Sequence, residues 1–181
     1  MAILVSDSSV LIDLERGALL DVAFVCDLTM VVPDLLYENE LKASNGPALL
    51  NLGLTVVELT PAEVELAQDV LALRPALSLE DCFALAAATR PDHILLAGDG
   101  ALRSEATARR IQCNGLLWLL DQMLASDRVT SLALHEGLTK LSRHPRCRLP
   151  KAEVEKRIKN WSKQPQTDSS GDALGSTAGS T

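Results

Sequence analysis

Acidic side chains recur where the apolar runs of this chain stop, and that placement points to chemistry. Ala2 to Val5 is an apolar run of strand length that gives way at Ser6-Asp7. Ile94 to Ala97 is a second run of the same design, turning at Gly98 into Asp99. In open α/β sheets, ligands collect outside the carboxyl ends of parallel strands, so a carboxylate at each of two strand ends suggests one shared pocket. Asp7 taken alone reads equally well as the N-cap of a helix over VLIDLERG. Further acids stand nearby in kind: Glu38 and Glu40 in YENEL, and Glu80 and Asp81 at the start of LEDCFALAAATR. Asp81, in the first turn of so apolar a helix, would face its buried end. Carboxylates brought together repel one another and lose hydration unless a divalent cation neutralises them. Oxygen donors of this hardness suit Mg²⁺ or Mn²⁺. Such a cation lowers the pKa of a bound water and offsets charge on a phosphate undergoing attack, which is the chemistry of metal-dependent nucleases.

The elements that must position these acids can be read in order. After the first strand, VLIDLERGALLDVAFV has apolar residues at helical spacing, with Gly17 as a break between two short helices. MVVP is a second strand stopped by Pro33, and DLLYENELKAS is a helix begun at Asp34, followed by a turn at Asn45-Gly46-Pro47. LTVVELT is rich in β-formers. Thr60, Pro61 and Glu63 form a capping pattern for a helix running to about Leu73, and Ser78 repeats it for the Ala-rich helix. HILLAGD is a strand, ALRSEATARR a helix, IQCNG a short strand, and LLWLLDQMLAS, VTSLALHEGLTKLSRH and KAEVEKRIKNW are three more helices.

With 181 residues, 47% hydrophobic and only 3% aromatic, the chain can bury a proper core of Leu, Ala and Val, and alternating strands and helices make it α/β. No apolar run approaches the roughly 20 residues of a membrane span. The start carries neither a basic region nor a cleavage site, so a cytoplasmic protein with no membrane partner is expected. Cys26, Cys82, Cys113 and Cys147 are widely spaced, which fits reduced, mostly buried thiols. Residues 1–99 carry four Lys/Arg against sixteen Asp/Glu, a balance of −12; residues 100–163 carry thirteen against six, a balance of +7. Such halves would gather cations at one and phosphates at the other, unless charges separated in sequence are intermixed in space. On the phosphate-binding reading, Arg103, Arg109, Arg110 and the RHPRCR loop are the candidate contacts. A disordered tail is expected at 162–181.

DSSVLIDL, the acidic helix after VVP, SLEDCFALAAA and LLAGDGALR stand in the order and spacing of four signatures, and together they resemble the PIN domain, a family of metal-dependent ribonucleases often found as toxins of toxin–antitoxin pairs. Asp7, Ser8 and Ser9 match the opening motif, Asp81 the third and Asp99 the fourth. In the second, Glu40-Leu41 fits one form and Tyr37-Glu38 another. Residues two apart on an α-helix point about 200° apart, so only one would face the pocket, and Glu40 is favoured. The likeness spans about residues 3 to 120. It implies a three-layer α/β/α sandwich with a central, mostly parallel sheet over 1–125, with 126–161 as a helical extension. It further implies an endoribonuclease whose metal ligands come from Asp7, Glu38 or Glu40, Asp81 and Asp99, with Ser9 bonding a water at the metal or merely capping the helix. The cofactor would be Mg²⁺ or Mn²⁺, the substrate RNA, and the partners a protein antitoxin and a second copy in a homodimer. Arg103, one turn after Asp99, would pair with a pocket carboxylate or a phosphate. Few aromatic residues leave little for base stacking, so contacts would be mainly to phosphate. The competing readings are a catalytically silent interaction protein of the same fold and a metal-dependent phosphatase or DNA nuclease.

Overall fold

A computed structural model describes residues 2–163. Five strands, β1 (Ile3–Ser6), β2 (Thr29–Pro33), β3 (Thr55–Val57), β4 (His93–Leu96) and β5 (Cys113–Asn114), form one sheet in the order β3-β2-β1-β4-β5. Every pairing is parallel, with Val5 level with Val31 on one side and Leu95 on the other. Central parallel strands are covered on both faces, which is why Leu4, Val5, Val31, Val32, Leu95 and Leu96 are all buried and read as unbroken apolar runs.

The strand order carries the functional consequence. From β1 the chain steps outward through β2 to β3, then crosses back to place β4 on the other side of β1. The carboxyl ends of β1 and β4 therefore flank the point where the winding reverses, the place where open α/β sheets leave a crevice. Asp7 and Asp99 follow those two strands. The backbones are tied there, Asp7 N–H donating to Leu96 O at 2.9 Å.

Helices cover both faces. The helix α1 (Ser8–Arg16) ends at Gly17, and α2 (Leu20–Phe24) follows, as the glycine break implied. Together with α8 (Leu116–Ala125), α9 (Ser131–Ser142) and α10 (Lys151–Trp161) they make one layer. In the other, α6 (Leu79–Ala87) lies across β1, β2 and β4, with α3 (Asp34–Leu36), α5 (Pro61–Leu73) and α7 (Gly100–Ala108) beside it. This is the α/β/α sandwich, its sheet wholly parallel. Both capping boxes form, Thr60 with Glu63 and Ser78 with Asp81. The α10 helix is held by Arg157, which donates to Asp121 of α8 at 2.6 Å, and by Trp161, only 4% exposed in the core. The tail expected from 162 onward lies, after residue 163, outside the described residues.

Two local features differ from the sequence reading. Gly46–Leu52 is a helix, α4, where only a turn was expected. Pro47 presets its first turn and Gly53, at φ 116°, ends it in the left-handed conformation that glycine adopts without strain. The stretch after Pro33 is not one α-helix: α3 widens at once into a single π-helical turn over Tyr37–Leu41, closed by Lys42 N–H donating to Tyr37 O at 2.8 Å. Such turns are rare and recur at functional sites. Gly46 packs directly against this turn, since a Cβ there would stand 2.8 Å from the Leu41 carbonyl carbon and oxygen. Backbone cannot yield as a side-chain tip can, so Gly46→Ala is expected to destabilise the protein by about 1–3 kcal/mol. The midpoint and slope of a urea unfolding curve check this.

Candidate active site

The Asp7 carboxylate lies at the centre of the reversal point and is only 3% exposed. It accepts four hydrogen-bond contacts: Val10 N–H at 3.0 Å, Ser9 Oγ at 2.8 and 2.9 Å, and Gly98 N–H at 3.2 Å. The first makes Asp7 the N-cap of α1. Cap and site residue are thus one side chain in two capacities: Oδ1 serves the helix start and Oδ2 reaches across to the β4 turn. Burial pushes its pKa up to about 6, with the charge of Asp81 adding to the rise; the bonds from Val10, Ser9 and Gly98 oppose it and are outweighed. No Lys or Arg among the described residues pairs with it. At neutral pH a buried negative charge therefore stands here without a cationic partner.

Ser9 does not cap the helix, since Asp7 does. Its hydroxyl instead joins Asp7 to Gly98, donating to the carboxylate and accepting Gly98 N–H at 3.2 Å. Gly98 is the residue whose part was not legible from sequence, where it reads only as a turn. A Cβ on it would stand 2.5 Å from Ser9 Oγ. Gly98→Ala is expected to rotate that hydroxyl out of place and to slow any reaction that depends on the Asp7 carboxylate roughly 10–100-fold. Melting temperature and kcat/KM measured together separate this from a folding defect.

The other acids are placed by their helices. Asp81 is half-buried at the third position of α6, where Oδ2 accepts Ser78 N–H at 3.0 Å. Asp99 is exposed and caps α7, Oδ1 accepting from Ala101 at 2.8 Å and Leu102 at 3.0 Å. Each gives one oxygen to its helix and leaves the other without a hydrogen-bond partner among the described residues. Glu80 accepts Asn39 Nδ2 at 2.7 Å, a bond that lowers its pKa and ties the π-helical turn to the start of α6. The turn thus faces α6 with Asn39, not with either glutamate. Glu38 is exposed and bound to Lys42 at 2.6 Å, whereas the exposed Glu40 carboxylate meets no described partner. Asp7, Ser9 and Gly98 are brought into hydrogen-bonded contact, and Asp81 lies close enough to add to the Asp7 charge, whereas the Asp99 carboxylate bonds, among the described residues, only the start of its own helix. Glu38 and Glu40 are not joined to them. As the side chains lie, no three acids, histidines or cysteines among the described residues are gathered to hold a metal. Two of the acids are turned to their own helix starts and the glutamates face solvent.

The donor chemistry nevertheless fits a hard divalent cation. The groups at the reversal point are carboxylate oxygens, one ionised, buried and lacking a counter-charge, two with an oxygen still unengaged. Among the described residues no helix is long and apolar enough to cross a membrane.

Comparison with known proteins agrees with this geometry. A family model described as a PIN domain matches residues 3–163, the last three helices included. No curated protein and no solved structure matches the chain. The match takes in nearly all of the chain: the chain belongs to the PIN-domain family, whose members are generally nucleases.

Proposed function

We propose that the chain is a metal-dependent endoribonuclease, hydrolysing phosphodiester bonds in RNA with Mg²⁺ or Mn²⁺, and that its setting is a toxin–antitoxin pair. The observation that carries the reading is the Asp7 carboxylate, buried and without a cationic partner at the reversal point of a parallel sheet, with the charge of Asp81 acting on it and Asp99 following the neighbouring strand β4. A structural acid so deeply buried would be expected to have a cationic partner. Asp7, Asp81 and Asp99 are the residues that would hold the cation, with Glu40, whose carboxylate meets no described partner, as the fourth acid. When bound, the cation supplies charge for the phosphate under attack and a more acidic water at neutral pH. Ser9 and Gly98 fix the Asp7 carboxylate in orientation, and the cap bond to Val10 N–H fixes it to α1. The capping bonds of Asp81 and Asp99 hold their backbones while leaving one oxygen of each to turn inward.

Incubating the purified protein with total RNA in Mg²⁺, Mn²⁺ or EDTA tests this directly. Cleavage with either cation and none in EDTA is expected. Intact RNA in all three, with DNA cut or a phosphate monoester hydrolysed instead, would move the substrate assignment; no hydrolysis of any phosphate ester would leave the silent interaction protein.

A further inference from the structure

Beside the carboxylates lies a cleft of about 410 Å³, walled by α7, the β5–α8 junction and the loop before α10. It adjoins the candidate site through shared residues, because Gly98 and Val10, both donors to Asp7, also line it. Two guanidinium groups enter it, Arg103 from α7 and Arg148 from the loop. Three of the eight arginines of the basic half are engaged elsewhere, and this narrows the simple picture of a basic track. Arg109 is bound to Glu105 at 2.6 Å, Arg157 to Asp121, and Arg128 to Asp27. Arg103 and Arg148 have no ion pair among the described residues. The acid that lines the cleft, Asp13, is matched by Arg16 at 3.1 Å. The net charge offered to a ligand is therefore positive.

The walls add a second observation. Gly115 has Arg103 lying over its backbone, so that a Cβ there would meet Nη1 at 2.8 Å, and the absence of a side chain at Gly115 leaves the guanidinium its place in the cleft. Apart from Asp13, Ser104 and the glycines, the remaining lining is aliphatic, with Leu116, Leu149 and Pro150, and holds no aromatic ring. A cleft with two guanidiniums free of ion pairs, a hydroxyl at Ser104 and no aromatic stacking surface favours phosphate and sugar over a base.

We propose that this cleft is a phosphate subsite, in which Arg103 and Arg148 hold a phosphodiester flanking the one presented to the carboxylates. The identity of the bound chain as RNA rests on the nuclease reading above; the anion site does not. It makes Arg148, Leu149 and Pro150, which lie outside the opening motifs, part of the substrate surface. Binding through it is indifferent to base sequence.

The test is fluorescence anisotropy with a short fluorescein-labelled single-stranded RNA in EDTA, where no cleavage occurs, across a KCl titration. Arg103→Ala and Arg148→Ala should each weaken binding about fivefold or more and flatten the salt dependence by roughly 0.7 in slope, one phosphate contact each. Arg103→Lys and Arg148→Lys should keep the slope. Arg143→Ala/Arg146→Ala removes the same charge from exposed positions outside the cleft and should leave the slope near that of the wild type. Unchanged melting temperatures confirm folding. An Arg103→Ala/Arg148→Ala protein with unaltered affinity and slope overturns the subsite, and so does equal loss in the Arg143/Arg146 pair, which would mean net charge alone. Either result leaves RNA cleavage by the wild type standing. Conversely, a wild type that cuts nothing but whose RNA binding depends on these two arginines overturns the nuclease and keeps the subsite.

Discussion

Asp7→Asn is expected to abolish RNA cleavage in Mg²⁺ or Mn²⁺ while leaving the metal-free protein as stable as the wild type or more so. The two halves come from one feature. Asn caps a helix about as well as Asp, so the bond to Val10 N–H survives. It removes a charge whose pKa burial has pushed up to about 6, a penalty of about 3 kcal/mol at neutral pH relative to an ordinary carboxylate. Against that, its amide nitrogen now faces Gly98 N–H, and a lost or reversed hydrogen bond costs about 1–3 kcal/mol. The terms offset, with the sign at zero or in favour of the variant. Activity has no such compensation, because a neutral amide is a poor ligand for a hard cation. Losing several kcal/mol of charge stabilisation means a fall of about a hundredfold or more. Thermal melts with and without Mn²⁺ complete the measurement, the variant showing a smaller rise on adding metal. An Asp7→Asn protein that cuts RNA and responds to Mn²⁺ as the wild type does would reduce Asp7 to a helix cap.

Much of this arrangement was legible because each sequence signal had a local physical cause. Thr60 and Ser78 announced their helices, since a hydroxyl and an acid three residues on satisfy backbone donors wherever they occur. The runs ending at Asp7 and Asp99 were apolar throughout because central parallel strands are covered on both faces. That β1 and β4 are neighbours was not written in either run; it follows from the crossover after β3. The π-helical turn left no trace, since a shift of one hydrogen-bond register over five residues does not alter a short apolar pattern. The choice between Glu38 and Glu40 by the α-helical angle presupposed a geometry the segment does not have. What separates them in the structure is a partner: Lys42 holds Glu38, and Glu40 has none among the described residues. The charge asymmetry left two readings open, and the structure shows intermixing in part. Glu105, from the basic half, is clamped between Arg74 and Arg109, each at 2.6 Å, so charges segregated along the chain are partly intermixed in space. Glycines were the least legible, because Gly46, Gly98 and Gly115 matter through what a Cβ would strike.

The stability of the metal-free protein should fall as pH rises from 4.5 to 7.5, by about 2 kcal/mol from Asp7. Its carboxyl titrates near pH 6 when folded and near 3.8 when unfolded, so between those values the folded protein binds the extra proton. Stability from such a group is fully present below the unfolded pKa and is lost as pH rises through the folded one. The carboxylates with lowered pKa act in the opposite direction and in another window. Glu63, drawn down to about 2 chiefly by Arg90, and Glu80 and Glu105 lose their contribution only as pH falls below about 4.5. Urea unfolding in EDTA at the two pH values therefore isolates the Asp7 contribution when wild type is compared with Asp7→Asn, which should lack that part of the decline. Mn²⁺ should reverse the trend. Since a cation must compete with the proton for the same oxygens, its stabilisation is larger at pH 7.5 than at 4.5. A wild type and an Asp7→Asn protein with parallel pH profiles, unmoved relative to each other by Mn²⁺, would show that the buried charge at the sheet's reversal point is not held ready for a metal.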